Sequence, residues 1–213
     1  PAAPDLAAAF RPGTRMGRCR GFPDVRDSGY PIEKGKLMTI SVILPAKNEA
    51  EGLRRTLPSL RALMPEAELI VVDDGSTDDT AAVAASLGAK VLSAPYSMGN
   101  GAAIKRGARA ATGDILVFMD ADGQHDPACI EGLLAKLDEG YDVVFGARDW
   151  AGQAGVHRGA ANAFYNWLAS RMTDFDVKDL TSGFRVVRAR KFREFIHLLL
   201  NGFSYPNTST MAF

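Results

Sequence analysis

The sequence predicts an α/β domain with a mainly parallel sheet flanked by helices, and three observations support this fold class. Short apolar segments typical of buried strands alternate with segments whose apolar residues recur at helical spacing. Three predicted strands end in polar or acidic turns, at the edge where parallel α/β sheets bind their ligands. The 213 residues, 46% of them hydrophobic and 23% charged, suffice for one sizeable core.

The composition argues against two kinds of partner. Lys and Arg together number 25, as do Asp and Glu, so the net charge gives no sign of nucleic-acid binding. No apolar run approaches the ~20 residues that a membrane-spanning helix needs, and no secretory signal is recognisable. We therefore expect a cytoplasmic protein, either soluble or peripheral at the cytoplasmic face of a membrane.

Residues 1–37 differ from the rest of the chain. They are rich in Pro, Gly and Arg and lack a sustained hydrophobic period, which predicts a disordered extension before a domain of residues 38–213. The alternative is a basic arm that touches a membrane or a partner. Its charge would come from Arg11, Arg15, Arg18 and Arg20.

Strands and helices are predicted in alternation beyond residue 38. The strands are residues 40–45, 69–72, 90–93, 115–119 and 142–147. Three helices have recognisable starts: Asn48 in a capping box with Glu51, Ser76 before a helix that ends near Leu87, and Asp126 followed by Pro127. The remaining helix covers residues 99–111, and its glycines are expected to allow close approach of a neighbouring segment.

The stretch from Ile115 to Pro127 carries the strongest functional signal. An apolar strand leads into Asp120 and Asp122, and residues two apart in an extended chain project to the same side. Two such carboxylates repel each other unless a cation lies between them. A hard divalent ion would satisfy both and leave positions open for the oxygens of a diphosphate. Alternatively, Asp120 caps a turn and His125 is a solvated loop residue.

Two further polar turns end neighbouring strands. They are Lys47-Asn48-Glu49 and Asp73-Asp74. The carboxyl ends of parallel strands share one edge of a sheet, so we expect all three turns to meet there.

These motifs resemble the inverting glycosyltransferases of family two, over residues 40–213. The resemblance is carried by Pro45-Ala46-Lys47-Asn48-Glu49, by Val71-Val72-Asp73-Asp74-Gly75-Ser76-Thr77-Asp78 and by Met119-Asp120-Ala121-Asp122-Gly123-Gln124-His125. Two later segments are similar to the branch that includes dolichol-phosphate mannosyltransferase and bacterial polyprenyl-phosphate glycosyltransferases. They are Asp179-Leu180-Thr181-Ser182-Gly183-Phe184-Arg185 and Gly202-Phe203-Ser204-Tyr205-Pro206. The resemblance implies the GT-A fold of nucleotide-sugar transferases.

The resemblance also implies roles for individual residues. The nucleotide-sugar would be bound by Pro45, Ala46, Glu49, Asp120, Ala121 and either Asp73 or Asp74. Mg²⁺ or Mn²⁺ would be held by Asp120, Asp122 and Gln124, and the acceptor phosphate by Arg158 and Asn162. Asp122, Asp179 and Arg148 would be the catalytic residues, with Arg148 facing the diphosphate or the acceptor phosphate.

The implied reaction moves a sugar from a UDP- or GDP-sugar to a polyprenyl phosphate, dolichyl or undecaprenyl. Such a phosphate is already anionic, so it can attack the anomeric carbon without a strong general base. Catalysis then depends on positioning and on charge stabilisation of the leaving nucleoside diphosphate. Asp179 would orient or weakly activate the acceptor, or else cap the turn before Gly183.

Three other functions compete with this interpretation. A family-two transferase acting on a sugar hydroxyl would need a true general base, which would make Asp179 essential. A sugar-1-phosphate nucleotidyltransferase would need a Gly-rich phosphate loop after the first strand, and residues 47–51 do not form one. A non-catalytic nucleotide-sugar-binding protein is the third alternative.

Two apolar stripes raise the question of membrane contact. One contains Phe164, Trp167, Leu168 and Met172, and the other Phe192, Phe195, Ile196 and Leu199 beside Arg190, Lys191 and Arg193. Such stripes suit either an interfacial helix or an ordinary core. Family members usually continue beyond the segment that ends at Phe213, so we expect a C-terminally truncated domain.

Overall fold

A computed structural model describes residues 32–33, 36–146 and 183–202 of the chain. A short antiparallel hairpin, β1 (Ile32–Glu33) and β2 (Lys36–Leu37), lies at the end of the predicted N-terminal extension. The earlier part of that extension, which includes Arg11, Arg15, Arg18 and Arg20, is outside the described residues.

A six-stranded sheet forms the centre of the domain, in the order β5-β4-β3-β6-β8-β7. The elements that follow the hairpin are β3 (Ile40–Ala46), α1 (Ala50–Leu63), β4 (Glu68–Asp73), α2 (Thr80–Ser86), β5 (Lys90–Ser93), α3 (Asn100–Ala110), β6 (Ile115–Phe118), α4 (Cys129–Asp138), β7 (Val143–Phe145), β8 (Arg185–Arg188) and α5 (Ala189–Phe195). Strands β3 to β6 pair in parallel, which confirms the predicted α/β class.

Strand β8 was missed by the sequence analysis. It runs antiparallel between β6 and β7, with Phe118 and Phe145 both opposite Arg185. Its Arg-Val-Val-Arg sequence is too short and too charged at its ends to read as a buried strand. Arg185 is nevertheless 1% exposed, and its guanidinium carbon lies 5.1 Å from the centre of the Phe145 ring.

Both faces of the sheet are covered, which explains why β3 and β6 at its centre are largely apolar. Val42 and Leu44 face one core, with the apolar stripes of α1 and α4, whereas Ile43 faces the other core with α3 and α5. Glycine in α3 permits the second contact, because a Cβ on Gly107 would collide with the Ile43 side chain.

The glycines at the start of α3 behave as predicted. A Cβ on Gly101 would collide with the carbonyl oxygen of Leu200, and the Ala102 N–H donates to the carbonyl of Asn201 at 3.0 Å. The Lys105 ammonium also donates to the Leu199 carbonyl at 2.8 Å. The close neighbour is therefore the segment that follows α5.

The second apolar stripe belongs to the core. Phe192 is fully buried and Leu199 is 3% exposed, and both lie in the same cluster as Phe118. Phe195 and Ile196 are half-buried, so the burial of the stripe favours the core interpretation. The first stripe, residues 164–172, is outside the described residues. Among the helices that the structure describes, none has both the length and the apolar character to cross a membrane.

Candidate functional site

The three polar turns meet at one edge of the sheet, as predicted. β3 lies between β4 and β6 and runs parallel to both, so the residues after all three strands emerge together. The register places Ala46 opposite Asp73, and the Asp74 N–H donates to the Ala46 carbonyl at 2.9 Å.

The turn after β3 is joined to the turn after β4 by reciprocal hydrogen bonds. The Asn48 N–H donates to the Ser76 hydroxyl at 2.9 Å, and the Thr77 N–H donates to the Asn48 side-chain oxygen at 2.8 Å. The Glu49 N–H donates to the Thr80 hydroxyl at 2.9 Å. Asn48 adopts a φ of 57°, in the left-handed region that Asn tolerates better than most residues.

These bonds correct two predicted helix caps. α1 begins at Ala50 without a side-chain cap of its own, so Asn48 and Glu51 form no capping box. Ser76 does not cap α2, which begins at Thr80. The sequence could not reveal this, because each cap is replaced by a contact between loops about thirty residues apart. At α4 the prediction holds more closely: the Ala128 N–H donates to Asp126 Oδ1 at 3.0 Å, although the regular helix begins at Cys129.

Asp73 and Asp74 are both 6% exposed but hold different loops. Asp73 accepts the Ser76 N–H at 2.9 Å, within its own turn. Asp74 accepts the Ser97 hydroxyl at 2.7 Å and the N–H groups of Met98 at 2.7 Å and Gly99 at 2.9 Å. Burial alone would raise the pKa of Asp74, but these three donors lower it. Asp74 therefore organises the loop between β5 and α3.

The acidic turn after β6 departs from the predicted geometry. The strand ends at Phe118, and Ala121 and Asp122 lie in a turn, so the two carboxylates are not aligned by an extended chain. Within the turn, the Gln124 N–H donates to Asp122 Oδ1 at 2.9 Å. Gly123 has a φ of 76°, which favours glycine at that position.

Glu49 shows that the acids of the three turns form one electrostatic cluster. Its pKa is raised by partial burial, and after that by the negative charges of Asp122, Asp78 and Asp120. These acids follow three different strands. Their mutual repulsion makes the cluster a place where a cation is favourable.

Two glycines that the sequence analysis did not assign to the site allow α1 and the segment before β8 to approach the acidic turn closely. A Cβ on Gly52, in α1, would collide with the Ala121 carbonyl oxygen and would lie 3.1 Å from the Cα of Asp122. A Cβ on Gly183 would lie 2.6 Å from Oδ2 of Asp120. An isolated glycine within a helical pattern, such as Gly52, was the available signal of a close contact.

His125 is not a solvated loop residue, so that expectation was wrong. The residue is 8% exposed, and its ring stacks on Phe184 with the ring centres 5.1 Å apart. Its Nε2 lies 3.3 Å from Oδ2 of Asp120.

The chemistry of the donor set fits a hard divalent cation that shares its ligands with a diphosphate. Among the residues in the described ranges, no three His, Cys, Asp or Glu side chains are grouped closely enough to hold a metal alone. Mg²⁺ in nucleotide sites typically takes only one or two carboxylates and fills its other positions with phosphate oxygens and water. Asp120 and Asp122 are suited to that arrangement, and Gln124 follows them on the exposed side of the turn.

The remaining predicted site residues fall into two groups. Pro45 is half-buried and Ala46 and Ala121 are buried, at the carboxyl ends of β3 and β6. Arg148, Arg158, Asn162 and Asp179 lie outside the described residues.

Comparison with known proteins identifies relatives of this chain. The family described as Glycosyl transferase family 2 matches residues 41–196. An uncharacterized glycosyltransferase of Mycobacterium tuberculosis is 43% identical over 131 residues, which are 61% of this chain and 54% of that protein. The undecaprenyl-phosphate 4-deoxy-4-formamido-L-arabinose transferase of Klebsiella pneumoniae is 34% identical over 181 residues, 80% of this chain and 52% of that protein.

Solved structures give the same fold. Glucosyl-3-phosphoglycerate synthase from Mycobacterium tuberculosis, in complex with Mn²⁺ and UDP-glucose, superposes with a TM-score of 0.64 at 29% identity, covering 80% of this chain and 62% of that one. Mannosyl-3-phosphoglycerate synthase from Rubrobacter xylanophilus gives a TM-score of 0.62 at 27% identity, covering 73% and 54%. The predicted GT-A fold is confirmed. The chain spans about half the length of the curated relatives that it matches.

Proposed function

The chain belongs to glycosyl transferase family 2, and we propose that it is a divalent-cation-dependent, inverting transferase that moves a sugar from a nucleoside diphosphate sugar to a polyprenyl phosphate. The observation that carries the proposal is that the acidic turns after β3, β4 and β6 leave adjacent parallel strands at one edge of the sheet. The negative charges of Asp122, Asp78 and Asp120 accordingly raise the pKa of Glu49, after partial burial. A cluster of acids at this edge of a parallel sheet is poorly suited to a bare anion and well suited to a cation–diphosphate pair.

The donor side of the proposal rests on the turns after β3 and β4. Pro45, Ala46, Glu49 and Asp73 would line the nucleoside pocket, because their turns are joined by the Asn48, Ser76 and Thr80 bonds. Asp74 is engaged by three donors from residues 97–99, so Asp73 is the better acceptor for the base. UDP is the donor nucleotide to test first, since the solved mycobacterial synthase binds UDP-glucose.

The leaving group would depart from the turn after β6. Asp120, Asp122 and Gln124 would hold Mg²⁺ or Mn²⁺, whose chemistry is to neutralise the charge that develops on the departing diphosphate. Gly52 and Gly183 leave the space that this turn occupies, because a Cβ at either position would collide with it. Displacement in a single step, with the acceptor attacking opposite the diphosphate, inverts the anomeric centre.

The acceptor is proposed from its chemistry and from the relatives. The Klebsiella pneumoniae relative is named for transfer to undecaprenyl phosphate, and a phosphate anion attacks without a strong general base. Arg148, Arg158 and Asn162 would bind that phosphate, and Asp179 would orient it. A lipid acceptor would bring the protein to the surface of a membrane at its cytoplasmic face.

A second acceptor is favoured by the solved structures. One mycobacterial synthase complex contains Mn²⁺, UDP-glucose and phosphoglyceric acid. Phosphoglycerate and polyprenyl phosphate are both phosphate monoesters, but in the first the carbon skeleton is small and soluble. The two candidates therefore share a phosphate monoester, although phosphoglycerate also carries a carboxylate, and they differ in where the product partitions.

A single assay separates these possibilities. The purified chain is incubated with Mn²⁺ and radiolabelled UDP- or GDP-sugars, in parallel with undecaprenyl phosphate in detergent and with 3-phosphoglycerate. We expect label in the organic phase with the lipid acceptor. Label found only in an anionic, water-soluble product would identify phosphoglycerate, rather than the lipid, as the acceptor. Donor binding without transfer to either acceptor, or to any of a panel of sugar hydroxyls, would favour the non-catalytic alternative.

A further inference from the structure

His125 lies where it can control the direction of the Asp120 carboxylate. Its ring is 8% exposed, and its Nε2 is 3.3 Å from Oδ2 of Asp120. A carboxylate only accepts hydrogen bonds, so a bond at this nitrogen requires the proton to be on Nε2. The imidazole, protonated at Nε2, then donates to Asp120.

The imidazole ring packs against Phe184, the residue directly before β8. It stacks on Phe184, with the two ring planes inclined by 29°. Phe184 is fixed in turn, because its carbonyl accepts the Gly146 N–H at 2.9 Å and its ring leaves no room for a side chain on Gly146. The contacts therefore run from β7 through Phe184 and His125 to Asp120.

Asp120 needs such a partner because its surroundings repel it. Its side chain is 37% exposed, and it shares the cluster with Glu49 and Asp122. An unrestrained carboxylate in that position would rotate away from the other acids towards solvent. Gly183 limits one side of the carboxylate, and the His125 donor fixes one of its oxygens.

We propose that His125 is a positioning residue, which holds Asp120 in the orientation that the metal–diphosphate site requires. This inference rests on the proposed function for the identity of the ligand. In metal sites, partners of this kind typically change metal affinity or activity by about 10- to 100-fold.

Two substitutions separate the hydrogen bond from the packing. His125→Phe keeps an aromatic ring against Phe184 and removes the donor to Asp120. His125→Gln places an amide N–H near the position of Nε2 and removes the ring. Mn²⁺ affinity in the presence of UDP, measured by electron paramagnetic resonance titration, gives the readout, with the melting temperature recorded for each variant.

We expect His125→Phe to weaken Mn²⁺ binding by about 10- to 100-fold and His125→Gln to stay within a few-fold of the wild type. The opposite order would show that the ring matters only for packing, and would overturn the proposal. In activity assays the Phe variant should lose kcat more than it raises KM, since orientation of the carboxylate matters most as the diphosphate leaves.

A spectroscopic control on the metal-free protein keeps this inference separate from the proposed function. Long-range ¹H–¹⁵N correlation spectra should show His125 as the Nε2-protonated tautomer, and Asp120→Ala should remove that preference. A tautomer that does not respond to Asp120→Ala contradicts the positioning role. A wild-type chain that shows the tautomer but binds neither Mn²⁺ nor UDP contradicts the proposed function instead, and with it the ligand named here.

Discussion

Gly183 lies directly against the carboxylate of Asp120: a Cβ there would be 2.6 Å from Oδ2 and 2.9 Å from Oδ1. The two residues are 63 positions apart in the sequence, and antiparallel pairing of β8 with β6 brings them together. The chain segment that ends at Gly183 therefore forms one wall of the acidic turn. The glycine is required by that contact rather than by its backbone conformation.

Gly183→Ala should displace the Asp120 carboxylate. Overpacking of this kind costs about 1–3 kcal/mol of stability, and we expect the affinity for Mn²⁺ with UDP to fall by about 10- to 100-fold. Gly202→Ala is the matched control, because no atom of the residues that the structure describes lies within 4 Å of its Cβ position. Equal Mn²⁺ affinities in the two variants would show that the contact does not matter to the site.

Asp122→Asn should abolish cation-dependent transfer while the fold is retained. The Asn side-chain oxygen can still accept the Gln124 N–H, which Asp122 Oδ1 accepts at 2.9 Å, so the turn keeps its local bond. Removing the charge of a metal ligand should lower kcat/KM by more than about 100-fold, since even indirect partners reach that value. Turnover equal to the wild type at saturating Mn²⁺, with an unchanged melting temperature, would remove Asp122 from the metal site.

Asp74→Asn tests whether Asp74 is a structural residue rather than the acceptor for the base. An amide N–H would face one of the three donors at Ser97, Met98 and Gly99, which should cost about 1–3 kcal/mol of stability. Asp73→Asn should cost less stability but more UDP affinity. Urea unfolding and UDP calorimetry on both variants measure these two effects, and the reverse pattern would assign the base to Asp74.

The sequence was sufficient for the parts of the fold that depend on local pattern. The alternation of apolar segments located β3, β4, β5 and β6, and their ends located the acidic cluster. The sequence alone did not predict contacts between segments that are far apart in the chain. Asn48 and Ser76 look like helix caps, yet they bond to each other's turns because the parallel sheet places those turns side by side.

The residues that surround Asp120 were not predicted for the same reason. His125 follows a turn, so the sequence predicts that it is solvent-exposed. In the structure, the ring of Phe184, directly before β8, packs against it. β8 was itself missed, because two of its four residues are arginine. Nothing local in the sequence indicates that an antiparallel strand will insert beside β6.

Glu68, at the opposite edge of the sheet from the acids, should make the fold sensitive to acid. Burial would raise the pKa of its carboxyl, but hydrogen bonds from Ser41, Thr112 and Lys90 lower the pKa from its ordinary value of 4.5 to about 2. A depressed pKa contributes stability that is present above pH ~4.5 and is lost as the pH falls towards 2.

Glu68→Gln should therefore cost stability at pH 7, by about 2 kcal/mol after allowance for partial exposure. The difference from the wild type should shrink as the pH falls from 4.5 towards 2. Urea midpoints at pH 7 and pH 3 give the comparison, and Glu66→Gln, at an exposed position, is the control. A difference that does not depend on pH would mean that the amide disturbs packing rather than charge.

Glu49→Gln should stabilise the metal-free protein, which is unusual for a residue in a functional site. Partial burial and the charges of Asp122, Asp78 and Asp120 raise the pKa of Glu49, so its ionised form opposes folding and stability falls as the pH rises through that pKa. Removing the charge should gain about 0.5–1 kcal/mol at neutral pH.

Binding of the cation should reverse the stability difference between the wild type and Glu49→Gln. Because the repulsion that Glu49 contributes is what an ion relieves, Mn²⁺ with UDP should raise the melting temperature of the wild type more than that of Glu49→Gln. Glu51→Gln, two residues along in α1 and 72% exposed beside Arg54 and Arg55, removes a charge without touching the cluster and should leave both melting temperatures near those of the wild type. If Glu49→Gln and Glu51→Gln respond to Mn²⁺ and UDP alike, Glu49 does not face the cation, and the acids after β3 and β6 serve separate purposes.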